Sequence, residues 1–435
     1  MNTLSTVYDV TKYGADATGR VLSTSAFTAC IQLCMQNGGG TVYVPAGTFL
    51  TSAIELKSNV NLHLSAGARI AFSQDIAHYP VIQTQWEGTE QQAYMPMIYG
   101  RNVENVFITG QGTLDGQGEF WWKQFRCGAL LHPRPRLVGF DNSNRITIDG
   151  IKLINSPAWT INPIRCNNVT INNITIINPP DSPNTDGINP DSSMNVRISN
   201  CHVDVGDDCI TIKSGTEKCK SMSICKNITI SNCTLLHGHG GVVIGSEMSG
   251  GIKNVVISNC VFEGTDRGIR IKTRRGRGGV VEDLLVNNLI MNNVMCPIVM
   301  NMYYFCGEGG KAQTVQDRLP HPATSSTPVL KNIRLCNITA RNAHAAAMFL
   351  FGLPEMPVSQ ITFSHVSISM CENAIEGIPA MMSGLQPTKR QGIYCCNTQD
   401  ICFDHVTIYD QDGPAITMDN SHKVSLSSCN FNLND

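Results

Sequence analysis

Charged residues are scarce in this sequence, and long apolar runs are missing. Asp, Glu, Lys and Arg make up 15% of the 435 residues, and the formal net charge is −2. A near-neutral chain lacks the broad basic field that nucleic-acid binding requires, so nucleic acid is not an expected partner. No apolar run reaches roughly 18 residues, so neither a membrane-spanning helix nor a membrane partner is expected. Because 42% of the residues are hydrophobic, the chain is expected to fold into a well-buried globule.

An export signal is also missing from residues 1–24, where no basic stretch precedes an apolar one. The 18 cysteines would suit a secreted protein with disulfides, but a chain of this length does not need disulfides to hold a core. The sequence therefore predicts a cytoplasmic protein with reduced thiols. Secretion is the alternative, if a leader has been removed.

What the sequence does contain is an internal repeat of the form Asn/Lys-Asn-Val-x-Ile-x-Asn-x-x-Ile. The first aliphatic residue of each copy is Val106, Ile146, Val169, Val196, Ile228, Val255, Leu284, Ile333, Ile361, Ile401 or Val424. From the second copy onward, the residue five positions later is always apolar: Ile151, Ile174, Cys201, Cys233, Cys260, Leu289, Ile338, Val366, Val406 and Cys429. Such a column predicts that each repeat is one coil of a solenoid, buried by its neighbours.

Short β-branched segments separated by Gly, Asn, Asp and Pro make the coils strands rather than helices. The predicted fold is all-β: a single-stranded, right-handed parallel β-helix. Residues 1–435 are expected to form one domain, with a cap region at 1–70 and repeated coils from about 100 to 435. A helix near Thr24–Gln36 would cap an open end of the solenoid. Longer loops are expected at about 79–98, 117–137, 304–328 and 375–392.

Four polar motifs interrupt neighbouring coils. They are Asn184-Thr185-Asp186-Gly187, Gly206-Asp207-Asp208-Cys209, Gly238-His239-Gly240 and Arg270-Ile271-Lys272. Each falls at or within a predicted strand, at 187–191, 209–214, 242–246 and 268–273 respectively. Parallel strands lie about 4.8 Å apart, so the motifs are expected to form one patch.

Three carboxylates in this patch suggest acid–base chemistry. Neighbouring charges on Asp186, Asp207 and Asp208 would raise the pKa of at least one carboxyl group, which could then act as an acid near neutral pH. Glycoside hydrolysis uses such a pair of carboxyl groups. A turn-capping Asp-Asp pair and a calcium site are the alternatives. For His239, between two glycines, a role near the substrate competes with that of a buried structural histidine, and a metal pair with His237 is disfavoured because no further ligands follow.

Strand alternation places Arg270 and Lys272 on the outer face. The same alternation puts Asn189, Thr211 and Val243 in the row of Arg270, and Asp191, Lys213 and Gly245 in the row of Lys272. Two cations beside a glycine predict a pocket for a carboxylate. The predicted substrate is therefore an anionic sugar. Arg267, Arg274, Arg275 and Arg277 extend the local positive charge, but a charge run containing glycines is more typical of a solvated loop, so the role of these four arginines stays open.

At these motifs the sequence resembles the polygalacturonases, family 28 of the glycoside hydrolases. The resemblance implies inverting hydrolysis of α-1,4 bonds between galacturonate units, without a cofactor or metal. It implies that Asp207 is the general acid and that Asp186 and Asp208 orient and deprotonate the water. It further implies that His239 supports the protonation of the acid, and that the substrate is bound by Arg270, Lys272 and, by a weaker match, Tyr303. Asn184 and Lys213 are further predicted substrate-binding residues.

Three segments, at 85–88, 154–159 and 245–251, resemble a bacterial exo-acting branch of the family. Exo action requires that one end of the groove is closed, and the predicted loops could close it. The candidates in these loops for stacking on sugars or binding carboxylates are Trp86, Trp121, Trp122, Arg126, His132, Arg134 and Arg136. The alternatives are an endo-acting enzyme, a hydrolase of substituted galacturonan or rhamnogalacturonan, a calcium-dependent lyase and a non-catalytic carbohydrate-binding β-helix. An oligomer is possible.

Overall fold

The computed structural model describes residues 6–431. These residues fall into two compact units, one ending at Asp207 and one beginning at Asp208. Helices are α1 Thr24–Gln36, α2 Glu119–Arg126 and α3 Gln313–Gln316, with 3-10 turns at Val10–Tyr13 and Ile76–His78. Within the described part of the chain, no helix has the length and apolar character needed to cross a membrane.

The first unit contains twenty strands. They are β1 Val7–Asp9, β2 Thr18–Leu22, β3 Gly40–Val44, β4 Gly47–Thr51, β5 Ile54–Glu55, β6 Val60–Leu64, β7 Ala68–Phe72, β8 Val81–Trp86, β9 Thr89–Tyr94, β10 Ile98–Arg101, β11 Glu104–Gly110, β12 Thr113–Asp115, β13 Val138–Asp141, β14 Asn144–Asp149, β15 Lys152–Ile154, β16 Ile161–Ile164, β17 Asn167–Asn172, β18 Thr175–Ile177, β19 Met194–Ser199 and β20 His202–Asp204.

The described residues of the second unit contain sixteen strands. They are β21 Ile210–Ile212, β22 Cys225–Ser231, β23 Thr234–Leu236, β24 Val242–Gly245, β25 Ile252–Glu263, β26 Arg267–Lys272, β27 Val280–Asn292, β28 Cys296–Asn301, β29 Val329–Ala343, β30 Ala346–Phe351, β31 Val358–Met370, β32 Gln391–Cys396, β33 Thr398–Tyr409, β34 Ile416–Asp419, β35 His422–Ser427 and β36 Asn430–Phe431.

Three parallel ladders form the faces of the first unit. They run in the orders β1-β3-β6-β11-β14-β17-β19, β2-β4-β7-β12-β15-β18-β20 and β5-β10-β13-β16. In the second unit, one ladder runs β22-β25-β27-β29-β31-β33-β35 and another runs β21-β24-β26-β28-β30-β32-β34. Every ladder joins successive coils in parallel, and parallel crossovers are right-handed in almost all proteins. The predicted fold class, a right-handed parallel β-helix, is confirmed.

The repeat register is also confirmed within each unit. Ile146 pairs with Val169, which pairs with Val196. In the second unit the successive partners are Ile228, Val255, Leu284, Ile333, Ile361, Ile401 and Val424. The second apolar column runs through Cys260, Leu289, Ile338, Val366 and Val406. All five of these side chains are buried, so the column predicted from sequence lies in the core.

The asparagines of the repeat occupy positions where the backbone is left-handed, such as Asn259 within β25 and Asn288 within β27. Asn259 has φ 56° and Asn288 has φ 55°, a region that Asn tolerates better than most residues. Asn288 donates from Nδ2 to Oδ1 of Asn259, one coil earlier, at 3.2 Å. Asn therefore contributes to each coil in two ways, through its backbone conformation and through a ladder of side-chain amides.

All 18 cysteines are free thiols. Cys201, Cys233 and Cys260 are buried in the apolar column. A hydrogen bond with Cys233 and burial together raise the pKa of Cys260, which favours the neutral thiol. These three thiols lie in the core as small apolar groups, whereas Cys429, the last residue of the predicted column, is half-exposed.

The N-terminal helix has the predicted bounds. Its buried face includes Ala26, Phe27 and Cys30, and it packs against β1, β3, β5 and β6, as expected for a cap. Parallel pairing already begins with β1, β3 and β6, so coils start inside the region predicted as a cap. The expectation of a single domain stays a prediction.

Sequence patterns missed ordered structure in three predicted loops. Residues 79–98 contain an antiparallel hairpin of β8 and β9, residues 117–137 contain α2, and residues 304–328 contain α3. Conversely, the strand expected at 187–191 is reduced to bridges at Ile188 and Asp191. Pro190 has no amide hydrogen and interrupts the ladder there.

We expect Asn259→Ala to lower the free energy of unfolding by about 1–2 kcal/mol, because a β-carbon without a polar group disfavours the left-handed backbone. Asn259→Gly loses the same amide ladder but tolerates the same φ, so it should cost less. Urea unfolding of both variants measures the difference. Equal losses would show that the amide ladder, and not the backbone conformation, selects Asn.

Candidate active site

The first-unit half of the predicted site is a rigid turn that carries Asp186. The carbonyl of Asp186 accepts from the amide of Thr160 at 2.8 Å, and the amide of Ile161 donates to Gly187 at 3.0 Å. Asn178 donates to the carbonyl of Thr185 at 3.1 Å. Asp186 is buried and Asp207 is half-buried. The turn is therefore held by its neighbouring coil.

Arg134 supports this turn. Its guanidinium donates to Oδ1 of Asn184 at 2.7 Å and to the carbonyl of Pro183 at 2.7 Å. Burial lowers the pKa of Arg134 to about 10, while the charges of Glu87, Asp186 and Asp207 oppose that shift. A cation thus lies within electrostatic range of two predicted catalytic carboxylates. Sequence reasoning listed Arg134 only as a loop candidate, since its partner Asn184 is 50 residues away.

In the second unit, Asp208 is clamped by both cations of the Arg-Ile-Lys motif. Its Oδ1 accepts from Arg270 Nη1 at 3.2 Å and its Oδ2 from Lys272 Nζ at 2.8 Å. Burial alone would raise the pKa of Asp208, but the charges of Lys272 and Arg270, with the hydrogen bond from Lys272, outweigh it and hold the pKa well below its usual range. Asp208 is therefore an ionised, buried carboxylate and cannot be the acid near neutral pH.

The predicted alternation of this motif is confirmed. Val243 pairs with Arg270 and Gly245 pairs with Lys272 across β24 and β26. A β-carbon at Gly245 would collide with the carbonyl oxygen of Lys272, and Gly245 also has φ 85°. The glycine therefore permits close approach of the backbones beneath Lys272. The carboxylate that the two cations hold in this structure is that of Asp208.

His239 is oriented by Asp266, one coil later. Its Nδ1 lies 2.8 Å from Oδ2 of Asp266, and 52% of its side chain is exposed. Burial would raise the pKa of Asp266, but the hydrogen bond with His239 and the charge of Arg267 lower it. The alternative of a buried structural histidine is wrong. Sequence reasoning missed Asp266, although its separation of 27 residues from His239 is that of one coil.

Tyr304, and not Tyr303, faces the two cations. The ring of Tyr304 lies 5.8 Å from the Arg270 guanidinium and 5.1 Å from Lys272 Nζ. Tyr303 is fully buried, edge-on to Phe351 and beneath the guanidinium of Arg318. The assignment of Tyr303 rests on a weak match to the family's motif, and because both tyrosines follow the end of β28, strand alternation could not distinguish them.

The loop at 375–392 covers Arg270. Arg267 donates to the carbonyls of Ile378 and Pro379, and Asn301 donates to the carbonyl of Met381 at 3.2 Å. The Met381 sulfur contacts Arg270 Nη2 at 2.7 Å. A thioether is a weak hydrogen-bond acceptor, so a carboxylate in its place would form a stronger hydrogen bond with Arg270.

Three other arginines are structural. Arg274 and Arg277 both form ion pairs with Glu217. Arg275 donates two hydrogen bonds to the carboxylate of Glu355, at 2.6 and 2.9 Å. All three arginines are buried, so of the roles that the sequence left open the solvated loop does not apply. Lys213, predicted to bind substrate, lies 3.6 Å from the buried carboxylate of Glu247.

The aromatic and basic candidates of the first unit separate into two groups. Trp121, Trp122 and Arg136 are buried, and Arg126 binds Asp181. In contrast, a cavity of about 400 Å³ is lined by Trp86, Glu87, Phe125, Gly128, Leu130, Leu131, His132, Pro133, Arg134 and Asn184. We call it the Trp86 pocket.

The two units supply different kinds of chemical group. The first unit supplies a buried carboxylate and a half-buried one near a cation, which suits groups that exchange protons with a ligand. The second unit supplies an ionised carboxylate, two cations with an aromatic wall, and an exposed imidazole bound to a carboxylate. Such groups bind anions and stabilise developing charge.

Comparison with known proteins identifies the lineage. The model of glycosyl hydrolases family 28 matches residues 34–384. A probable polygalacturonase of Vitis vinifera is 34% identical over 444 residues, covering 97% of this chain and 86% of its own. The exopolygalacturonase of Thermotoga maritima is 29% identical with a TM-score of 0.73, covering 88% and 94% respectively. A family 28 exopolygalacturonase of Yersinia enterocolitica, 20% identical, has a TM-score of 0.83 over 97% of this chain and 78% of its own. The curated relative is a plant protein, so the predicted likeness to a bacterial branch is not supported.

We expect Lys272→Met to lower the free energy of unfolding at pH 7 by about 3 kcal/mol, because it leaves a buried carboxylate with half of its compensation. The pKa of Asp208 is lower in the folded protein than its ordinary value of 3.8, so the ionised carboxylate stabilises the fold at any pH above 3.8. This stabilisation is lost as the pH falls toward the folded-state pKa. The loss of stability in the variant should therefore be smaller below about pH 4 than at pH 7. Urea unfolding at pH 7 and below pH 4 measures the loss under each condition. The double variant Lys272→Met/Asp208→Asn should recover most of the loss, and a single variant as stable as wild type at pH 7 would contradict the clamp.

Proposed function

The chain belongs to glycosyl hydrolase family 28, and from this premise we propose that it hydrolyses the α-1,4 bonds of galacturonan with inversion, releasing units from a chain end. The observation that carries the proposal is the ionised Asp208, buried under two cations and directly following the half-buried Asp207. Adjacent carboxyl groups in such different environments suit opposite roles in acid–base catalysis.

In the proposed mechanism, Asp207 protonates the oxygen that leaves with the departing sugar. Asp208, ionised, removes a proton from the attacking water, and Asp186 orients that water. Attack from the opposite face inverts the anomeric centre, and inverting enzymes place their acid and base roughly 6.5–9.5 Å apart. Asp207 regains its proton from solvent, and Asp208 releases one.

His239 is proposed to keep Asp207 supplied with its proton. Its hydrogen bond to Asp266 favours the imidazolium form, since a nearby carboxylate stabilises positive charge. An imidazolium can donate a proton or a hydrogen bond to a carboxylate within its reach. The exposed position of His239 gives solvent protons access.

Arg270 and Lys272 are proposed to bind a substrate carboxylate next to the cleaved bond. The substrate would replace the Met381 sulfur on Arg270, and Tyr304 would form the wall beside both cations. Asn184 and Lys213 stay proposals as further binding residues. In this reading Tyr304 takes the place of Tyr303.

Exo action is supported by ordered covers over each half of the site. The β8–β9 hairpin and the segment after α2 wall the Trp86 pocket, and residues 378–381 lie on Arg267 and Arg270. The Thermotoga maritima protein, at 29% identity, is an exopolygalacturonase. Endo action and hydrolysis of substituted galacturonan remain the alternatives. The comparisons give no support to the cytoplasmic expectation, which stays a prediction, as does any oligomer.

We expect wild-type enzyme acting on polygalacturonate to release one product size from the start, because exo action removes units from an end. A ladder of oligomers in early chromatograms would instead indicate endo action.

Asp207→Asn should abolish turnover, because the amide cannot protonate the leaving oxygen, while circular dichroism and the unfolding midpoint stay at wild-type values. Turnover near wild type in this variant would contradict the assignment of the acid.

We expect Tyr304→Ala to raise KM about tenfold, because the cations lose a ring contact of roughly 0.5–2 kcal/mol. Tyr304→Phe keeps the ring and should retain most of the affinity. Tyr303→Phe, the matched control, keeps the buried packing and should leave KM within about twofold. Steady-state kinetics on trigalacturonide tests all three, and a larger effect of Tyr303→Phe than of Tyr304→Ala would restore the original prediction.

A further inference from the structure

One column of left-handed residues changes its chemistry in the later coils of the second unit. Asn259, Asn288 and Asn337 occupy this position in β25, β27 and β29, each with φ between 52° and 56°. In β31 and β33 the same position is held by His365 and His405, with φ 53° and 51°. Histidine tolerates this backbone conformation, so the coil is kept while imidazoles replace amides. Imidazole is the commonest metal ligand among protein side chains.

The two imidazoles form one cluster with the residues that precede them. The rings of His365 and His405 are stacked, with centres 4.7 Å apart and planes inclined by 4°. Oδ1 of Asp404 lies 2.9 Å from Nδ1 of His405, and the hydroxyl of Ser364 lies 2.9 Å from Nδ1 of His365. The same hydroxyl donates to Oδ2 of Asp404 at 3.5 Å. We call these four side chains the His365 cluster.

No lysine or arginine neutralises the carboxylate of the cluster. Among residues 6–431, the only ion-pair partner of Asp404 within 4 Å is His405. In contrast, Asp400 on the same strand has Nζ of Lys423 at 3.6 Å. With neutral imidazoles the His365 cluster therefore carries one negative charge, which attracts a cation.

The ligand atoms of the cluster lie close together. One ligand atom each from His365, Asp404 and His405 lies within 4.8 Å of the other two. A zinc ion bound tetrahedrally, at about 2.0–2.1 Å from each ligand, requires roughly 3.3 Å between ligand atoms. Both histidine side chains are exposed, so rotation about their χ angles can close the remaining gap of at most about 1.5 Å. A water molecule would supply the fourth ligand.

We propose that His365, Asp404 and His405 bind a divalent transition-metal ion of the zinc class, because such ions accept a ligand set of two imidazoles and one carboxylate. The ion joins β31 to β33 and stabilises these coils, since a ligand that binds only the folded chain raises its stability. None of the residues assigned to the candidate active site belongs to the His365 cluster. The inference is therefore independent of the proposed hydrolysis.

The test titrates the full chain, treated with EDTA and then desalted, with ZnCl₂ in a calorimeter. Wild type should show saturable binding with micromolar affinity, and Zn²⁺ should raise its unfolding midpoint. His405→Asn gives β33 the residue that other coils carry at this position, so it should fold normally. Because it removes one of three ligands, it should weaken binding about tenfold or more. Asp404→Asn removes another ligand without changing a left-handed residue, and it should weaken binding to a similar degree.

His321→Asn is the matched control. Nε2 of His321 lies 2.9 Å from Oδ2 of Asp317, so this variant also removes an imidazole that is paired with a carboxylate. In the described part of the chain no third ligand joins that pair. The affinity of this variant for Zn²⁺ should stay within about twofold of wild type, and circular dichroism should show all variants folded. Co²⁺ in place of Zn²⁺ identifies the ligand type, because thiolate ligands give Co²⁺ a strong charge-transfer absorption in the near ultraviolet.

Equally tight binding to wild type, His405→Asn and Asp404→Asn would overturn the inference, as would the absence of saturable binding to wild type. An equal loss of affinity in His321→Asn would also overturn it, because such a loss would indicate general binding to surface histidines. A strong thiolate band with Co²⁺ would assign the ion to cysteines and would overturn the inference as well. None of these outcomes bears on the proposed hydrolysis.

Discussion

In-register pairing of parallel strands is the constraint on which this structure depends. Each coil presents its residues at the height set by the previous coil, as with Ile228, Val255 and Leu284. The inner rows must then be apolar throughout, and small groups such as the thiol of Cys260 fit there without a disulfide. Because the coils leave little room for charge inside, a buried charge needs an opposite charge beside it, as Asp208 has in Arg270 and Lys272.

Those buried charges are ordered by the same register. The pairing of β24 with β26 sets Gly245 under Lys272 and Val243 under Arg270, which aims both cations at Asp208. Without its partners, a buried carboxylate would be protonated or would destabilise the fold. The clamp therefore stabilises the coil and also fixes the ionisation state that a general base needs. Structural and chemical roles coincide at Asp208.

Much of the fold, and part of the candidate site, could be predicted from the sequence. The repeat predicted the coils, the column of Cys260 and its neighbours, and the outward direction of Arg270 and Lys272, because these depend on spacing along the chain. Asp266 was within reach of the same reasoning, being one coil beyond His239. The hairpin at β8–β9 and helix α2 were missed because short elements in insertions lack a repeat to compare with.

The sequence by itself determined the coil, its apolar rows and the identity of the polar motifs, since a β-helix repeats a local pattern whose period is visible in the chain. Only the tertiary structure decided which side chains those motifs meet. Met381 contacts Arg270 across 111 residues, and Arg134 reaches Asn184 across 50. It also decided that Tyr304 and not Tyr303 faces the cations. Such contacts depend on how loops fold over the coils, and no spacing along the chain encodes that.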